Sequence, residues 1–370
     1  MDKEAKIDAF ICEIPFADVD KNVPIGEIKD AATLDDLEAL EDFDTTTTAG
    51  AMEYISNYAK QTWNCPVMFY TNVKTDNEDY QKLVELGWKM RTKWKTGMLD
   101  AWYQLSTDTD SFDEYMADET HPSGKGYLEW ITPFIESKIP GIIHDYDISL
   151  INARPEYALN AVATNEPNIL TSKHIIYLGS SVTYGASSDQ LSFVEYIAKR
   201  NDTTYTKEAM SGTTLVDNNG GSYIQRMLNN IDTNEKADLF VCQLSTNDAT
   251  TNQPMGEISD STNLDDFDTT TVMGAMEYVI CYAKQTWNCP VMFYTGTKYD
   301  SDQYAKMVEA LKQLQAKYGI GVINMWDNLD TNIPQYDEYM ADEIHPNRAG
   351  YLNWWTPYME QCMIEYLSQQ

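Results

Sequence analysis

The stretch KHIIYLGSSVTYG, residues 173–185, decides how the rest of the chain can be arranged. Its apolar run, 174–178, predicts a short buried strand that ends in a Gly-Ser-Ser turn, and the chain from about residue 190 has a helical pattern. Because open α/β sheets place their sites at the carboxyl ends of strands, this turn would present its side chains at such a position. Serine pairs are usually plain turn residues, but Ser181 can act as a nucleophile if other segments supply a base and an oxyanion pocket.

Strands and helices alternate along the C-terminal half of the chain. We predict strands at 174–178, 203–208, 237–244, 290–296 and 319–326, and helices at 190–200, 222–230, 272–286, 302–317 and 347–367. This alternation predicts a parallel sheet with helices on both faces, joined by right-handed crossovers. Our expectation is a flavodoxin-like, three-layer α/β/α fold whose five parallel strands are ordered 2-1-3-4-5.

The chain also contains an internal duplication. Residues 51–72 read AMEYISNYAKQTWNCPVMFYTN, and residues 275–296 read AMEYVICYAKQTWNCPVMFYTG. In all, three pairs of segments match, namely 43–72 with 267–296, 112–136 with 336–360, and 8–18 with 238–248. Residues of about 8–139 therefore duplicate those of about 238–363, with a short acidic insertion, LEALED at 37–42, in the first copy.

The first copy contains only part of the predicted fold. Its strands, 8–14, 66–72 and 97–102, match the last three strands of the complete fold, so strand 8–14 lacks the neighbour that the complete fold would supply. An open edge must be paired or protected. We expect strand 8–14 to pair with the segment 140–170, with the complete domain, or with a second chain in a homodimer or by strand exchange.

These patterns divide the chain into three parts. We expect a partial, degenerate repeat at 1–139, a linker or irregular crossing segment at 140–170, and a complete domain at 171–370. Two pairings are open for the single first half of the fold, 173–236. It can pair sequentially with the second copy, or in a circularly permuted arrangement with the first.

Composition restricts the classes of partner. The 370 residues include 58 acidic and 26 basic residues, which give a net charge of −32. Such a surface repels phosphate backbones and anionic lipid, so nucleic acid and membrane surfaces are poor partners, and neutral or cationic small substrates fit better. A solvated acidic surface with no role in recognition is the simpler interpretation of the charge.

Two sequence features bear on compartment and cofactors. No run of about 18 apolar residues predicts a membrane span, and the start MDKEAKIDAF lacks the shape of a signal peptide, so we expect a soluble protein of undetermined compartment. The six cysteines include no Cys-x-x-Cys pair, which favours buried free thiols over a zinc site.

Three further motifs can supply chemistry to Ser181. Asp342 and His345, three residues apart, can place a carboxylate against imidazole Nδ1 and leave Nε2 free as a base, although Asp342 can equally be a helix cap beside an incidental histidine. Asn247 follows a predicted strand and can direct its amide at a developing oxyanion, although such residues more often cap turns. Gly212 follows the second strand, where backbone N–H groups could approach a substrate closely, or where the glycine only makes a turn.

In this order the motifs resemble those of the SGNH hydrolase superfamily, also called GDSL esterases and lipases. The resemblance covers about 173–363, and its motifs are GSSVT at 179–183, Gly212, STND at 245–248 and DEIH at 342–345. Ser180 stands where the family usually has aspartate, and Ser245 stands where it usually has glycine. These departures remove no catalytic group, but they leave the substrate class open.

The resemblance implies a role for each residue. Ser181 would be the nucleophile, His345 the base that takes its proton and returns it to the leaving alcohol, and Asp342 the carboxylate that orients the imidazole. The backbone N–H groups of Ser181 and Gly212 and the side-chain amide of Asn247 would form the oxyanion hole. The implied function is hydrolysis of a carboxylic ester through an acyl-enzyme, with no metal or organic cofactor. Carbohydrate O-acetyl groups are one candidate substrate by the breadth of the family.

The first copy retains only part of this set. Asp118 and His121 keep the Asp-x-x-His spacing, but Ala17 occupies the position of Asn247, and no Gly-x-Ser turn precedes it. We therefore prefer His345 as the base. Two alternatives stay open: acyl transfer, thioester or lysophospholipid hydrolysis at the same site, and a non-catalytic binding module.

Overall fold

The structure is a computed structural model that describes residues 1–28 and 39–370. These residues form two compact units, Met1–Asp147 and Ile148–Gln370. Residues 37 and 38 of the predicted acidic insertion lie outside the described residues, and Leu40–Asp42 form a 3₁₀ turn.

The strands are short. They are β1 (Phe10–Glu13), β2 (Val67–Tyr70), β3 (Gly97–Leu99), β4 (His174–Gly179), β5 (Thr204–Ala209), β6 (Leu239–Gln243), β7 (Val291–Tyr294) and β8 (Gly321–Ile323). The helices up to the division between the units are α1 (Phe16–Asp20), α2 (Thr48–Trp63), α3 (Glu78–Trp94), α4 (Ala101–Gln104), α5 (Phe112–Tyr115), α6 (Gly124–Gly126) and α7 (Thr132–Asn152). Those that follow are α8 (Ser181–Tyr184), α9 (Phe193–Asn201), α10 (Tyr223–Asn230), α11 (Thr246–Thr250), α12 (Val272–Trp287), α13 (Asp302–Tyr318), α14 (Met325–Asn328), α15 (Tyr336–Tyr339), α16 (Arg348–Gly350) and α17 (Thr356–Leu367).

The second unit contains a five-stranded sheet in the order β5-β4-β6-β7-β8, and every pair in it is parallel. This order is the predicted 2-1-3-4-5, so the fold prediction is confirmed. Strand β4 lies between β5 and β6, which also confirms the sequential pairing of 173–236 with the second copy.

Strand β4 is buried on both faces, which explains its continuous apolar run. Ile176 and Leu178 pack into a core with residues of α10, α12 and α13, whereas Ile175 and Tyr177 pack into a second core with residues of α9 and α17. Alternate side chains of a strand point to opposite faces, so helices on both sides bury all four. Each aliphatic side chain buried in this way contributes about 1.5–3 kcal/mol. The strand that carries the Gly-Ser-Ser turn is thus firmly held in the sheet.

Most of the predicted strands are longer than the observed ones, and two of them continue into a segment that the structure shows as a helix. The expected strand 319–326 ends at Ile323, because the Asn324 side chain accepts a hydrogen bond from the Asp327 N–H and begins α14. The expected strand 97–102 likewise ends at Leu99, because Asp100 caps α4. Both positions carry a side chain that satisfies the free N–H groups of a helix start.

The segment 140–170 differs from the predicted linker. Residues 140–152 belong to α7, which contains Pro140, and Ile142 of the same helix lies over Gly97 of β3. A proline usually breaks a helix by removing one hydrogen bond, but α7 continues through Pro140. The boundary between the units falls after Asp147, so 148–170 belong to the second unit. There Tyr157, Val162 and Leu170 lie in the core that also holds Ile175 and Tyr177.

In the first unit, β1, β2 and β3 form a parallel sheet in that order. Strand β1 lies at its edge, and within residues 1–28 and 39–370 no further strand pairs with it. Residues 140–147 of the first unit lie in α7 and do not supply the neighbour we expected. Pairing with a second chain stays a prediction. No helix in the described part of the chain has the length and apolar character needed to cross a bilayer.

Candidate active site

The nucleophile turn after β4 is held by hydrogen bonds to Gln243, the last residue of β6. The Ser180 N–H donates to Gln243 Oε1 at 2.9 Å, and the Thr183 hydroxyl donates to the same oxygen at 2.9 Å. A Cβ atom on Gly179 would lie 1.8 Å from Thr183 Oγ1, so this approach requires glycine. As a result, Ser181 begins α8 at the carboxyl edge of the sheet, with 8% of its surface exposed.

The structure brings Ser181, His345 and Asp342 into one chain of hydrogen bonds. His345 Nε2 lies 2.7 Å from Ser181 Oγ, and His345 Nδ1 lies 2.8 Å from Asp342 Oδ2. Both distances are within the reach needed for a base that activates a nucleophile and a carboxylate that orients the base. These contacts are made by the histidine of the second copy.

The Asp342 carboxylate is held in its charged form. Burial alone raises the pKa of Asp342, but the hydrogen bond from the His345 ring, the electrostatic interaction with that ring and the hydrogen bonds from the backbone N–H groups of Ile344 and His345 bring the pKa below its usual value. Those N–H groups donate to Asp342 Oδ1 at 2.8 and 2.7 Å. A carboxylate that stays ionised can stabilise an imidazolium during catalysis.

Of the two other predicted oxyanion residues, Gly212 lies on the loop that follows β5, and Asn247 lies in α11, which follows β6. Gly212 has a φ of +78°, a left-handed conformation that favours glycine, and no atom lies within 4 Å of the position a Cβ would take. Asn247 Nδ2 donates to the Thr213 carbonyl oxygen at 2.9 Å, which orients the amide. The second hydrogen of this nitrogen can serve a substrate oxygen.

The two departures from the family pattern have different outcomes. Ser245 caps α11, because its hydroxyl accepts a hydrogen bond from the Asp248 N–H. The Ser180 hydroxyl is fully buried and interacts with the buried Tyr223 side chain. The side chain at 245 therefore fixes the start of the helix that carries Asn247, whereas that at 180 points into the protein interior.

Sequence reasoning missed Asp248, although it was quoted in the STND motif. This fully buried carboxylate accepts the N–H groups of Leu215 and Val216 at 2.7 and 3.0 Å. Burial raises the pKa of Asp248, and hydrogen bonds from Ser245 and from these backbone groups offset part of that rise. Asp248 thereby joins the loop of Gly212 to the helix of Asn247.

Arg226 was also missed, since one arginine in a predicted helix carries no signal of its own. Its Nη2 donates to the Gly179 carbonyl oxygen at 2.8 Å and to Thr213 Oγ1 at 3.0 Å. Its Nη1 forms a salt bridge with Glu208 at 3.0 Å. The buried guanidinium thus connects the nucleophile turn, the end of β5 and the loop of Gly212.

The first copy contains the same local Asp-His pair. His121 Nδ1 lies 2.9 Å from Asp118 Oδ2. Hydrogen bonds from the backbone N–H groups of Thr120 and His121, followed by that from the His121 ring, lower the pKa of Asp118 to about 2. The two side chains are 73% and 58% exposed, and among the described residues no hydroxyl is hydrogen-bonded to His121 Nε2.

Comparison with known proteins places the second unit in a family. Residues 177–352 match the model of the GDSL-like Lipase/Acylhydrolase family. A lipase/acylhydrolase from Enterococcus faecalis is similar in structure at 19% identity, covering 53% of this chain and 96% of that one, with a TM-score of 0.37. A member of the lipolytic protein G-D-S-L family from Veillonella parvula DSM 2008 is similar at 21% identity, covering 53% and 99%, with a TM-score of 0.36. No curated protein matches the chain in sequence. The match over residues 177–352 supports the SGNH hydrolase superfamily that the sequence motifs resemble, and an SGNH-type hydrolase.

Proposed function

We propose that the protein is a serine esterase that hydrolyses carboxylic esters through an acyl-enzyme at Ser181. The observation that supports it most strongly is the 2.7 Å contact between Ser181 Oγ and His345 Nε2, with Asp342 on the opposite side of the ring. A serine hydroxyl is a weak nucleophile until an adjacent base takes its proton, and this arrangement supplies that base.

Acylation follows from these positions. His345 Nε2 takes the Ser181 proton as Oγ attacks the ester carbonyl, and Asp342 stabilises the imidazolium that forms. The negative charge moves to the carbonyl oxygen, where it is stabilised by the N–H groups of Ser181 and Gly212 and by the Asn247 amide. The Ser181 N–H is available for this because it belongs to the first turn of α8. The tetrahedral intermediate then expels the alcohol, which receives its proton from His345.

Deacylation repeats these steps with water. His345, neutral again, takes a proton from water as its oxygen attacks the acyl-enzyme, and the same donors stabilise the second oxyanion. Collapse of this intermediate releases the carboxylic acid and returns the proton to Ser181. Over the cycle one ester and one water become one acid and one alcohol.

The charge of the chain limits the substrate class. A net charge of −32 disfavours strongly anionic acyl donors such as coenzyme A thioesters. We therefore place neutral esters first, with O-acetyl groups on carbohydrate as the leading class. A panel of chromogenic acyl esters, acetylated oligosaccharides, thioesters and lysophospholipids separates these options. Faster turnover of thioesters or lysophospholipids than of every oxygen ester of a short acid would contradict this ranking.

A serine-directed phosphonate probe tests the nucleophile. We expect the wild type to be labelled and to hydrolyse p-nitrophenyl acetate, and Ser181→Ala to lose both properties. Ser180→Ala is the matched control, because that neighbouring hydroxyl is fully buried and His345 Nε2 contacts Ser181 instead, so its loss should leave labelling intact. Folded wild-type protein that is neither labelled nor active would overturn the proposal in favour of a non-catalytic binding module.

A further inference from the structure

Asn152, the last residue of α7, lies outside the segment that matches the family model. It is 3% exposed, and both ends of its side-chain amide are used. Oδ1 accepts the Arg348 N–H at 2.9 Å, and Nδ2 donates to the Ser187 carbonyl oxygen at 2.9 Å. One buried side chain thus connects a residue three positions after His345 with a residue six positions after Ser181.

Arg348 adds a second set of contacts between the same segments. Its Nη1 donates to the Asn152 carbonyl oxygen at 2.9 Å, and its Nε donates to the Ser188 carbonyl oxygen at 3.2 Å. Its Nη2 lies 3.4 Å from Asp189 Oδ2. The Arg348 side chain therefore joins the histidine loop, residues 340–348, to the nucleophile loop, residues 181–190. Two of its contacts are to backbone carbonyl oxygens, whose positions do not depend on a side-chain rotamer.

The histidine loop has internal contacts that do not involve Ser181. The Ala341 N–H donates to the His345 carbonyl oxygen at 2.8 Å, and Asn347 Nδ2 donates to the Glu338 carbonyl oxygen at 2.6 Å. These contacts shape the loop and hold Asp342 against the imidazole. They do not set the distance between His345 Nε2 and the nucleophile, which depends on how the loop is held against 181–190.

The first copy has the contacts that hold the aspartate against the imidazole, but not those that position the histidine loop against a nucleophile. Its loop has the equivalent internal bond, from the Ala117 N–H to the His121 carbonyl oxygen at 2.8 Å, and the same Asp-His pair. Gly124 stands at the position of Arg348, so this copy has no side chain that could make the second set of contacts. The internal bonds of the loop therefore suffice for the Asp-His pair, without contacts like those of Asn152 and Arg348.

We propose that Asn152 is a positioning residue that, together with Arg348, sets the distance between Ser181 Oγ and His345 Nε2. The proposal rests on the proposed esterase function only for its kinetic consequence. The positional consequence, which is the geometry of the His345 ring against Ser181, holds whether or not the protein hydrolyses esters. The contacts that Asn152 and Arg348 make with the two loops, which we call the clamp, make Asn152 part of the active-site structure.

The test compares Asn152→Ala with a matched buried asparagine, Asn201→Ala, in the full-length chain. Asn201 is 1% exposed and also bridges segments, since it bonds to Asn165, Asn168 and Glu360. For Asn152→Ala we expect kcat to fall by about 10–100-fold with KM nearly unchanged, because a small misplacement of a catalytic group has an effect of this size. For Asn201→Ala we expect a lower Tm with kcat unchanged.

A spectroscopic readout separates the clamp from the esterase function. In the wild type we expect the ¹⁵N chemical shift of His345 Nε2 to report its contact with Ser181 Oγ. In Asn152→Ala we expect this His345 signal to move towards its value in Ser181→Ala, while Asn201→Ala keeps the wild-type value. This holds even if no ester is hydrolysed, whereas failure of the esterase proposal is reported by the serine probe and by Ser181→Ala. If Asn152→Ala fails to fold, Asn152→Asp is used, which keeps the acceptor for Arg348 and loses the donor to Ser187.

Arg348→Ala completes a double-mutant cycle. Residues that act through one clamp show non-additive effects, so the double variant should lose little more kcat than either single variant. The proposal is overturned if the folded Asn152 variant keeps both kcat and the His345 signal. It is equally overturned if Asn201→Ala reduces kcat as much, or if the two single effects simply multiply.

Discussion

The two Asp-x-x-His loops of this chain are nearly the same in local structure and different in surroundings. In both, the imidazole Nδ1 lies within 3 Å of the carboxylate and the histidine N–H donates to it at 2.7 Å. The His121 side chain is 73% exposed, whereas that of His345 is 21% exposed and touches Ser181. An Asp-His pair is thus a product of the loop alone, and a catalytic triad requires parts from distant segments.

The missing parts of the first copy can be named. Ala17 stands in place of Asn247, Gly124 stands in place of Arg348, and the chain has only one Gly-Ser-Ser turn. The loop itself has kept its geometry without these partners. Its own hydrogen bonds are sufficient to maintain it, so the shape of such a loop is weak evidence for a working site.

The largest expected effect on kcat comes from removing His345 rather than His121. His345→Ala should lower kcat by about four to six orders of magnitude, the range found when a triad member is lost. His121→Ala, the matched change in the first copy, should leave kcat unchanged. Steady-state hydrolysis of p-nitrophenyl acetate measures both. Activity lost in His121→Ala and kept in His345→Ala would reverse the assignment.

The oxyanion donor gives the next effect. Asn247→Ala should lower kcat by about 10²–10³-fold, or about 3–4 kcal/mol, because the oxyanion loses one donor that no water replaces in position. The reciprocal change, Ala17→Asn, should have no effect on kcat, since the first copy has no nucleophile of its own. An Asn247→Ala enzyme with wild-type kcat would remove the amide from the oxyanion hole.

A smaller effect is expected from Asp118 and Asp342 on the pH dependence of the free energy of unfolding. The folded-state pKa of Asp118 is about 2 and that of Asp342 is also lowered. A lowered pKa means that the charged form is favoured in the folded state, so each contributes stability above its unfolded pKa of about 4 that is lost as pH falls through the folded pKa. Urea unfolding of Asp118→Asn and Asp342→Asn should show a deficit against the wild type above about pH 4 that shrinks at lower pH. A deficit that is constant with pH would show that charge is not its cause.

The smallest effect is expected from removing the first copy. Every residue placed in the site, including Asn152, lies within Ile148–Gln370. A chain of residues 148–370 should therefore fold and keep the kcat of the full protein, measured on the same ester. Loss of Ser181 labelling in a folded 148–370 chain would show that residues 1–147 contribute to the site.

The fold and the candidate residues were largely predictable. The period of apolar residues and the alternation of elements led to the parallel order 2-1-3-4-5, because crossover handedness leaves few other arrangements. The sequence analysis did not predict the helix starts at Asn324 and Asp100 or the continuation of α7 through Pro140. At Asn324 and Asp100, a side-chain cap ended the apolar strand pattern early.

The sequence by itself determined what short-range chemistry controls: most of the strands and helices, and the Asp342–His345 pair, whose three-residue spacing allows contact within one loop. Only the tertiary structure decided which histidine faces Ser181, and that Asp248, Arg226 and Asn152 join the loops around it. Those contacts link residues from 13 to 196 positions apart. They exist because the parallel sheet brings the carboxyl ends of separate strands to one edge, and no local pattern encodes which side chains meet there.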